Sequence, residues 1–107
     1  MWLDWNRINW FHCANEGMHK VQYRKKMSRL GVKPGMPDIV IIDPPPNVLA
    51  APGAVIELKR IKGGKVSDGQ LAWLSIFKQR GWAWAVCMGA DEALGMLEKW
   101  GYGKAKN

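Results

Sequence analysis

Two short apolar runs in the middle of the chain dominate its pattern of hydrophobic and polar positions. Residues 39–42 (Ile-Val-Ile-Ile) are continuously apolar, rich in β-branched side chains and too few for a helix, which predicts a buried strand. Residues 54–60 (Ala-Val-Ile-Glu-Leu-Lys-Arg) alternate and predict a second strand. Because strand side chains alternate between faces, Glu57 and Lys59 share one face and Leu58 takes the other.

Periodic patterns on either side predict three helices and two further strands. Apolar residues recur at helical spacing between His19 and Leu30, and Gly31 follows as a helix stop. Ser67 and Gln70 form a capping-box pattern, although Gln70 can equally serve a neighbouring site. The predicted strands are 9–14 and 82–87, and the predicted helices are 19–30, 67–80 and 91–100. This order predicts an α/β domain whose mixed sheet is flanked by helices.

The proline-rich segment 43–47 separates the two apolar runs. Proline cannot donate to a strand ladder, so we expect a loop here. The loop permits a hairpin-like return, which brings Asp38 at the start of the first run close to Glu57 in the second. Two carboxylates and the Lys59 ammonium on converging strands suit a hard metal ion, whereas a Glu-x-Lys pair alone is typical of a solvated face.

The chain is short and strongly basic. Its 107 residues allow one domain over residues 1–107, in which 103–107 are expected to be a disordered polar tail. Sixteen Lys and Arg against nine Asp and Glu give a net charge of +7, which favours a polyanionic partner. The apolar runs are too short to cross a membrane and no signal-peptide pattern is present, so we expect a cytoplasmic protein.

Cysteine and tryptophan are expected mainly in the interior. Cys13 and Cys87 lie in apolar stretches, as small buried hydrophobic residues of a reducing compartment do. Most of the seven tryptophans, including Trp73, Trp82 and Trp84, are expected in the core and not at a base-stacking surface.

Basic residues cluster in two segments close to the candidate site. Five of them lie in the predicted helix 19–30 with no acid between them, and two flank the Gly63-Gly64 pair. Paired glycines either let the backbone approach a phosphate or form a plain mobile linker. The residues predicted to contact DNA phosphates are Lys20, Arg24, Lys25, Lys26, Arg29, Lys62 and Lys65.

Four segments taken in order resemble one nuclease family. Gly35-Met-Pro-Asp38 before the first strand and Glu57-Leu-Lys59 in the second resemble the PD-(D/E)XK nuclease superfamily. Residues 63–74 (GGKVSDGQLAWL) and 10–17 (WFHCANEG) are similar to its VRR-NUC family, in the stand-alone form associated with phages. The resemblance runs from about residue 10 to residue 88. It implies a restriction-endonuclease-like core, a mixed sheet flanked by helices.

The resemblance also implies roles for the residues of the central strands. Asp38, Glu57 and the main-chain carbonyl of Leu58 would bind Mg²⁺ or Mn²⁺, as oxygen ligands suit these ions. Lys59 would orient the attacking water or offset charge on the phosphate. These are the residues on which we expect hydrolysis of a phosphodiester bond to depend.

Two further residues are implied beside the active site, and one contributor is left open. Gln70 and Glu16 match family positions close to the metal, although Glu16 can also be a solvated turn acid. Many relatives add an acid from an N-terminal helix, for which this chain has little room. Asp4 or Glu16 would have to take that place.

The expected function is a Mg²⁺- or Mn²⁺-dependent deoxyribonuclease acting on branched, flapped or four-way junction DNA. The alternative is a catalytically silent basic DNA-binding module, which the joint presence of Asp38, Glu57 and Lys59 disfavours. A structural RNA-binding domain is disfavoured too, because the sequence shows no aromatic sheet motif of the RRM kind.

The residues at the start of the chain predict a homodimer. Met1, Trp2 and Trp5 precede the first clear element and have little core of their own to cover them. Exposed aromatic clusters of this kind commonly mark interfaces, and two-fold pairing is the commonest way to cover one. In the alternative, these tryptophans fold back onto the sheet of their own chain.

Overall fold

The computed structural model describes residues 2–13 and 35–103. The predicted helix 19–30 and residues 104–107 of the predicted tail lie outside the described residues. The elements in chain order are α1 (Trp2–Trp5), β1 (Trp10–His12), β2 (Ile39–Ile41), β3 (Ala54–Lys59), α2 (Asp68–Gln79), β4 (Ala83–Met88) and α3 (Ala90–Lys99).

The described strands form one mixed sheet in the order β1-β2-β3-β4. β2 is antiparallel to both β1 and β3, and Ile39 is paired with Ile56. β4 is parallel to β3, with Glu57 paired with Val86. A parallel pair needs a crossover connection, and α2 supplies it. The mixed sheet flanked by helices that the sequence predicts is confirmed.

Each face of the sheet carries its own apolar cluster. Ile41 and Ile56 pack with Leu97 of α3 on one face, and Leu58 joins this cluster. Val55 packs with Leu74 of α2 on the other face. Because Glu57 and Lys59 follow Val55 at intervals of two, they lie on the face that α2 covers. The predicted alternation along β3 therefore fixes which helix can reach the candidate site.

The start of the chain folds onto the domain. Leu3 in α1 is fully buried in the α3-side cluster, and Trp2 packs against the same cluster. The backbone N–H of Asn9 donates to Asp43 Oδ2 over 2.7 Å, which ties the segment to the loop after β2. Trp5 is 73% exposed. Trp2 therefore folds back onto its own chain, as in the alternative to dimerisation. Dimerisation itself stays a prediction.

The expectation that Trp84 belongs to the core is wrong. The Trp84 side chain is 40% exposed because β4 is an edge strand of the described sheet and α2 covers only part of that strand. The Lys78 ammonium lies 5.8 Å from the centre of the Trp84 ring. Trp82 is partly buried and packs edge-to-face on Phe77, with ring centres 5.1 Å apart.

Among the described helices, none has the length and apolar character needed to span a membrane.

The packing of α1 can be tested by truncating one buried and one exposed side chain of the same helix. Leu3→Ala should lower the free energy of unfolding by about 3 kcal/mol, because it leaves a cavity in the α3-side cluster. Trp5→Ala should change it by less than about 1 kcal/mol. Urea denaturation followed by tryptophan fluorescence measures both. Equal unfolding midpoints for Leu3→Ala and the unmodified protein would show that α1 does not pack in solution.

Candidate active site

Two buried carboxylates face each other across β2 and β3. Since Ile39 is paired with Ile56, continuing that register by one residue sets Asp38 opposite Glu57 on the α2 face. Asp38 is 3% exposed and Glu57 is 1% exposed. The backbone N–H of Leu58 donates to Asp38 Oδ2 over 2.7 Å and fixes the orientation of that carboxylate. The predicted approach of the two acids is confirmed.

The environment of Glu57 favours its protonated form. Burial, followed by a hydrogen bond with Asp38 and the charge of Asp38, raises the pKa of Glu57 to about 7 against the opposing effect of Lys59. Glu57 Oε2 is buried and accepts no hydrogen bond from any described residue. A buried oxygen without a donor is costly, and either a proton or a cation would satisfy it.

Gln70 joins the two charged side chains of β3. Its Oε1 accepts from Lys59 Nζ over 2.7 Å, and its Nε2 donates to Glu57 Oε1 over 2.8 Å. Lys59 Nζ lies 3.5 Å from the same Glu57 oxygen. The three side chains therefore form a closed ring, which holds the ammonium next to the acid pair.

The same glutamine also caps the start of α2. Its Oε1 accepts from the backbone N–H of Ser67 over 2.9 Å, while Ser67 Oγ accepts from the Gln70 backbone N–H over 3.2 Å. The sequence suggests the cap and the site as competing roles for one side chain. The hydrogen bonds of the cap and the contact with Lys59 are both present, because the amide oxygen has two lone pairs and accepts from Ser67 and Lys59 together.

Gly35 sets the distance between the Asp38 segment and α2. Gly35 has a φ of +83°, and a Cβ added there would lie 2.7 Å from the Gly69 carbonyl carbon and 3.1 Å from the Gln70 nitrogen. Only glycine permits this approach without displacement of the helix. Sequence reasoning missed the contact. The signal was the glycine three residues before Asp38.

Cys13 is a neighbour of the acids that the sequence did not indicate. Its backbone N–H donates to the Asp38 carbonyl over 2.8 Å, so β1 continues the row of residues on the α2 face. Burial, followed by the charges of Asp38 and Glu57, raises the pKa of the Cys13 thiol. The neutral thiol therefore acts as a partly buried wall beside Asp38.

The Leu58 carbonyl lies on the Asp38 side of β3. The Lys59 carbonyl accepts from the Gly89 N–H over 3.0 Å and so points towards β4. Successive residues of a strand point their peptide groups to opposite edges, and the Leu58 N–H indeed reaches Asp38. Within the described ranges, no cluster of three His, Cys, Asp or Glu side chains could hold a metal ion. Two carboxylates, one carbonyl and water nevertheless form a donor set that suits a hard cation.

The other predicted site residues fall into three groups. Lys62 and Lys65 lie in the exposed loop after β3. Asp4 accepts from the Trp10 indole N–H over 2.8 Å, and Trp10 packs on the α3 face, so the structure does not bring Asp4 to the acid pair. The predicted residues outside the described ranges are Glu16, Lys20, Arg24, Lys25, Lys26 and Arg29.

Comparison with known proteins agrees with this fold. The sequence model of the VRR-NUC domain matches residues 4–91. A solved structure described as a VRR_NUC domain protein has a TM-score of 0.66 at 19% sequence identity, over 92% of this chain and 80% of that one. A comparison with curated protein sequences gave no match.

The class of the domain follows from these findings. The mixed sheet with helices on both faces is a restriction-endonuclease-like α/β fold, of the kind found in the PD-(D/E)XK superfamily. The chain belongs to the VRR-NUC domain family, whose members are nuclease-type, DNA-binding domains. The structural likeness at 19% identity supports the fold alone.

The raised pKa of Glu57 predicts how stability depends on pH without added metal. Between about pH 4.5 and 7 the folded protein retains a proton that the unfolded chain has lost, so stability falls as pH rises through this window. The fall should reach at most about 3 kcal/mol. Urea denaturation in chelator at several pH values measures it.

A matched pair of variants tests whether Glu57 causes this pH dependence. Glu57→Gln should remove the fall, because the amide does not titrate. Asp91→Asn, an exposed acid at the start of α3, should retain it. An unchanged pH dependence in Glu57→Gln would show that another group binds the proton.

Proposed function

We propose that this domain is a Mg²⁺- or Mn²⁺-dependent endonuclease that hydrolyses phosphodiester bonds of DNA. The observation that carries the proposal is the buried Asp38–Glu57 pair. Glu57 Oε2 lacks a donor among the described residues, and the Lys59 ammonium lies 3.5 Å from Glu57 Oε1. Burial of two acids is unfavourable without a compensating cation. A cation site next to a fixed ammonium suits attack on a phosphodiester.

The residues that would hold the cation are Asp38, Glu57 and the Leu58 carbonyl. When bound, the ion would supply charge neutralisation at the scissile phosphate and a more acidic water. The Leu58 N–H keeps one oxygen of Asp38 in place, and the Gln70 amide does the same for Glu57. The protein therefore presents both carboxylates already oriented, which avoids a reorganisation cost on binding.

Lys59 acts on the substrate side of this pair. Gln70 and Glu57 restrain its ammonium, so that it can donate to the attacking water or to a phosphate oxygen without a search of rotamers. Gln70 is tied in turn to the start of α2 through Ser67. The position of the ammonium is thus coupled to the position of the helix.

The proposal includes selectivity for branched, flapped or four-way junction DNA. The net charge of +7 and the cations after β3 suit contacts with phosphates, which carry no base information. Recognition of DNA shape follows more readily from such contacts than sequence readout does. A homodimer would place two sites on one particle, which suits paired nicks in a symmetric junction.

A silent DNA-binding module is the second candidate and is less well supported. Such a module gains nothing from a buried acid pair, which weakens attraction to a polyanion and is unfavourable to bury. The ordered ring of Lys59, Gln70 and Glu57 adds to this argument. It serves a reaction centre and has no evident use in binding alone.

Removal of either carboxylate tests the proposal directly. Asp38→Asn and Glu57→Gln should each reduce cleavage of flapped and four-way DNA by more than about 100-fold in Mg²⁺ or Mn²⁺. Circular dichroism should show an unchanged fold, and affinity for DNA in chelator should stay within about threefold. Cleavage at the unmodified rate by either purified variant would refute the assignment.

Lys59 should affect turnover far more than metal affinity, because an ammonium cannot ligate a cation. We expect Lys59→Ala to lower the cleavage rate by about 100-fold and to leave Mn²⁺ affinity within about threefold. Calorimetric titration of Mn²⁺ measures the second quantity, with Lys78→Ala as a control of equal charge change on α2. Complete loss of Mn²⁺ binding in Lys59→Ala alone would mean that the lysine chiefly maintains the structure of the site.

A further inference from the structure

A basic cavity adjoins the candidate active site where β3 ends. Its volume is about 370 Å³, within the usual range for ligand sites. We call it the β3 exit pocket, and the residues that line it are Leu58, Lys59, Arg60, Gly63, Gly64 and Lys65. Three of the six are cations and none is an acid.

Two glycines shape this pocket. Gly63 has a φ of +75° and open space around it, so the chain turns there in a conformation that favours glycine. A Cβ added to Gly64 would lie 2.7 Å from the Arg60 carbonyl oxygen and 2.9 Å from Lys59 Cβ. The loop main chain therefore packs directly on the end of β3. This contact favours a built loop over the plain mobile linker that the sequence left open.

The three cations that line the pocket differ in how free they are to bind a ligand. Lys59 is engaged by Gln70 and Glu57. Arg60 and Lys65 are exposed, and no carboxylate among the described residues forms an ion pair with either. Two uncompensated cations around a glycine main chain make a site for an anion, and a phosphate fits the fork of an arginine best.

The pocket lies at a distance that one DNA strand can span. Arg60 follows Glu57 by three residues of extended chain, roughly 10 Å at the rise of a strand. Neighbouring phosphates of one strand are separated by about twice the 3.4 Å axial rise, because the backbone winds around the duplex axis, so roughly 10 Å corresponds to one or two phosphates. A strand with its scissile phosphate at the acid pair would therefore place a later phosphate at the pocket.

We propose that the β3 exit pocket binds a non-scissile phosphodiester of the substrate strand, about one or two nucleotides from the bond that is cut. Arg60 and Lys65 supply the charge, and the Gly63-Gly64 main chain allows the close approach. This inference rests on the proposed nuclease function and adds Arg60 to the residues that act on the substrate. It gives the site a direction, because the pocket lies on one side of the acid pair only.

Methylphosphonate scanning tests the inference by binding alone. Single neutral methylphosphonates replace each phosphate of a DNA strand in turn, and fluorescence anisotropy in chelator measures affinity. The unmodified protein should lose about tenfold at one internal position. The double variant Arg60→Ala/Lys65→Ala should bind more weakly, with a salt dependence about two charges smaller, and should lose nothing further at that position.

A control of equal charge separates the pocket from general attraction. Lys78→Ala/Arg80→Ala removes two exposed cations near the end of α2 and should retain the tenfold loss at the same position. The inference is overturned if the pocket variant keeps the positional effect, or if only a terminal phosphate shows one.

Cleavage is scored separately from binding. A protein that shows the positional effect but does not cut DNA would refute the nuclease function and leave the pocket standing. A protein that cuts DNA without the positional effect would refute only the pocket.

Discussion

The buried pair of carboxylates at Asp38 and Glu57 is the constraint on which the rest of the site depends. Two acids that are each at most 3% exposed destabilise the fold unless protons, cations or donors compensate them. The Leu58 N–H and the Gln70 amide compensate part of this charge, and Lys59 adds an ammonium. One oxygen of Glu57 remains without a described donor. That gap gives the proposed cation a place to bind.

The start of α2 supports the acid pair as well as the helix. Gln70 closes the capping box with Ser67 and holds both charged side chains of β3, so the helix and the site share one side chain. The Gly35–Gly69 contact holds the segment before Asp38 against the same turn. Since Gln70 spans both, a shift of α2 would move Lys59 and Glu57 together.

The two faces of the sheet divide stability and chemistry between them. The α3 face holds the larger apolar cluster and includes Leu58, whereas the α2 face carries a smaller one beside the polar row. This division lets β3 bury Glu57 and partly bury Lys59 without breaking the main core. It also leaves the end of β3 free to form the basic pocket next to the acids.

The sequence by itself determined the strands around the acids, the helix that follows them and the alternation that sets Glu57 against Leu58. These features depend on local periodicity and on residues near each other in the chain. It also indicated Asp38, Glu57 and Lys59, because motif spacing along two adjacent strands translates directly into register. The Gly35–Gly69 contact, the exposure of Trp84 and the place of Cys13 were decided only by the tertiary structure. Each depends on which element packs on which, and contacts between distant segments leave no periodic trace in the chain.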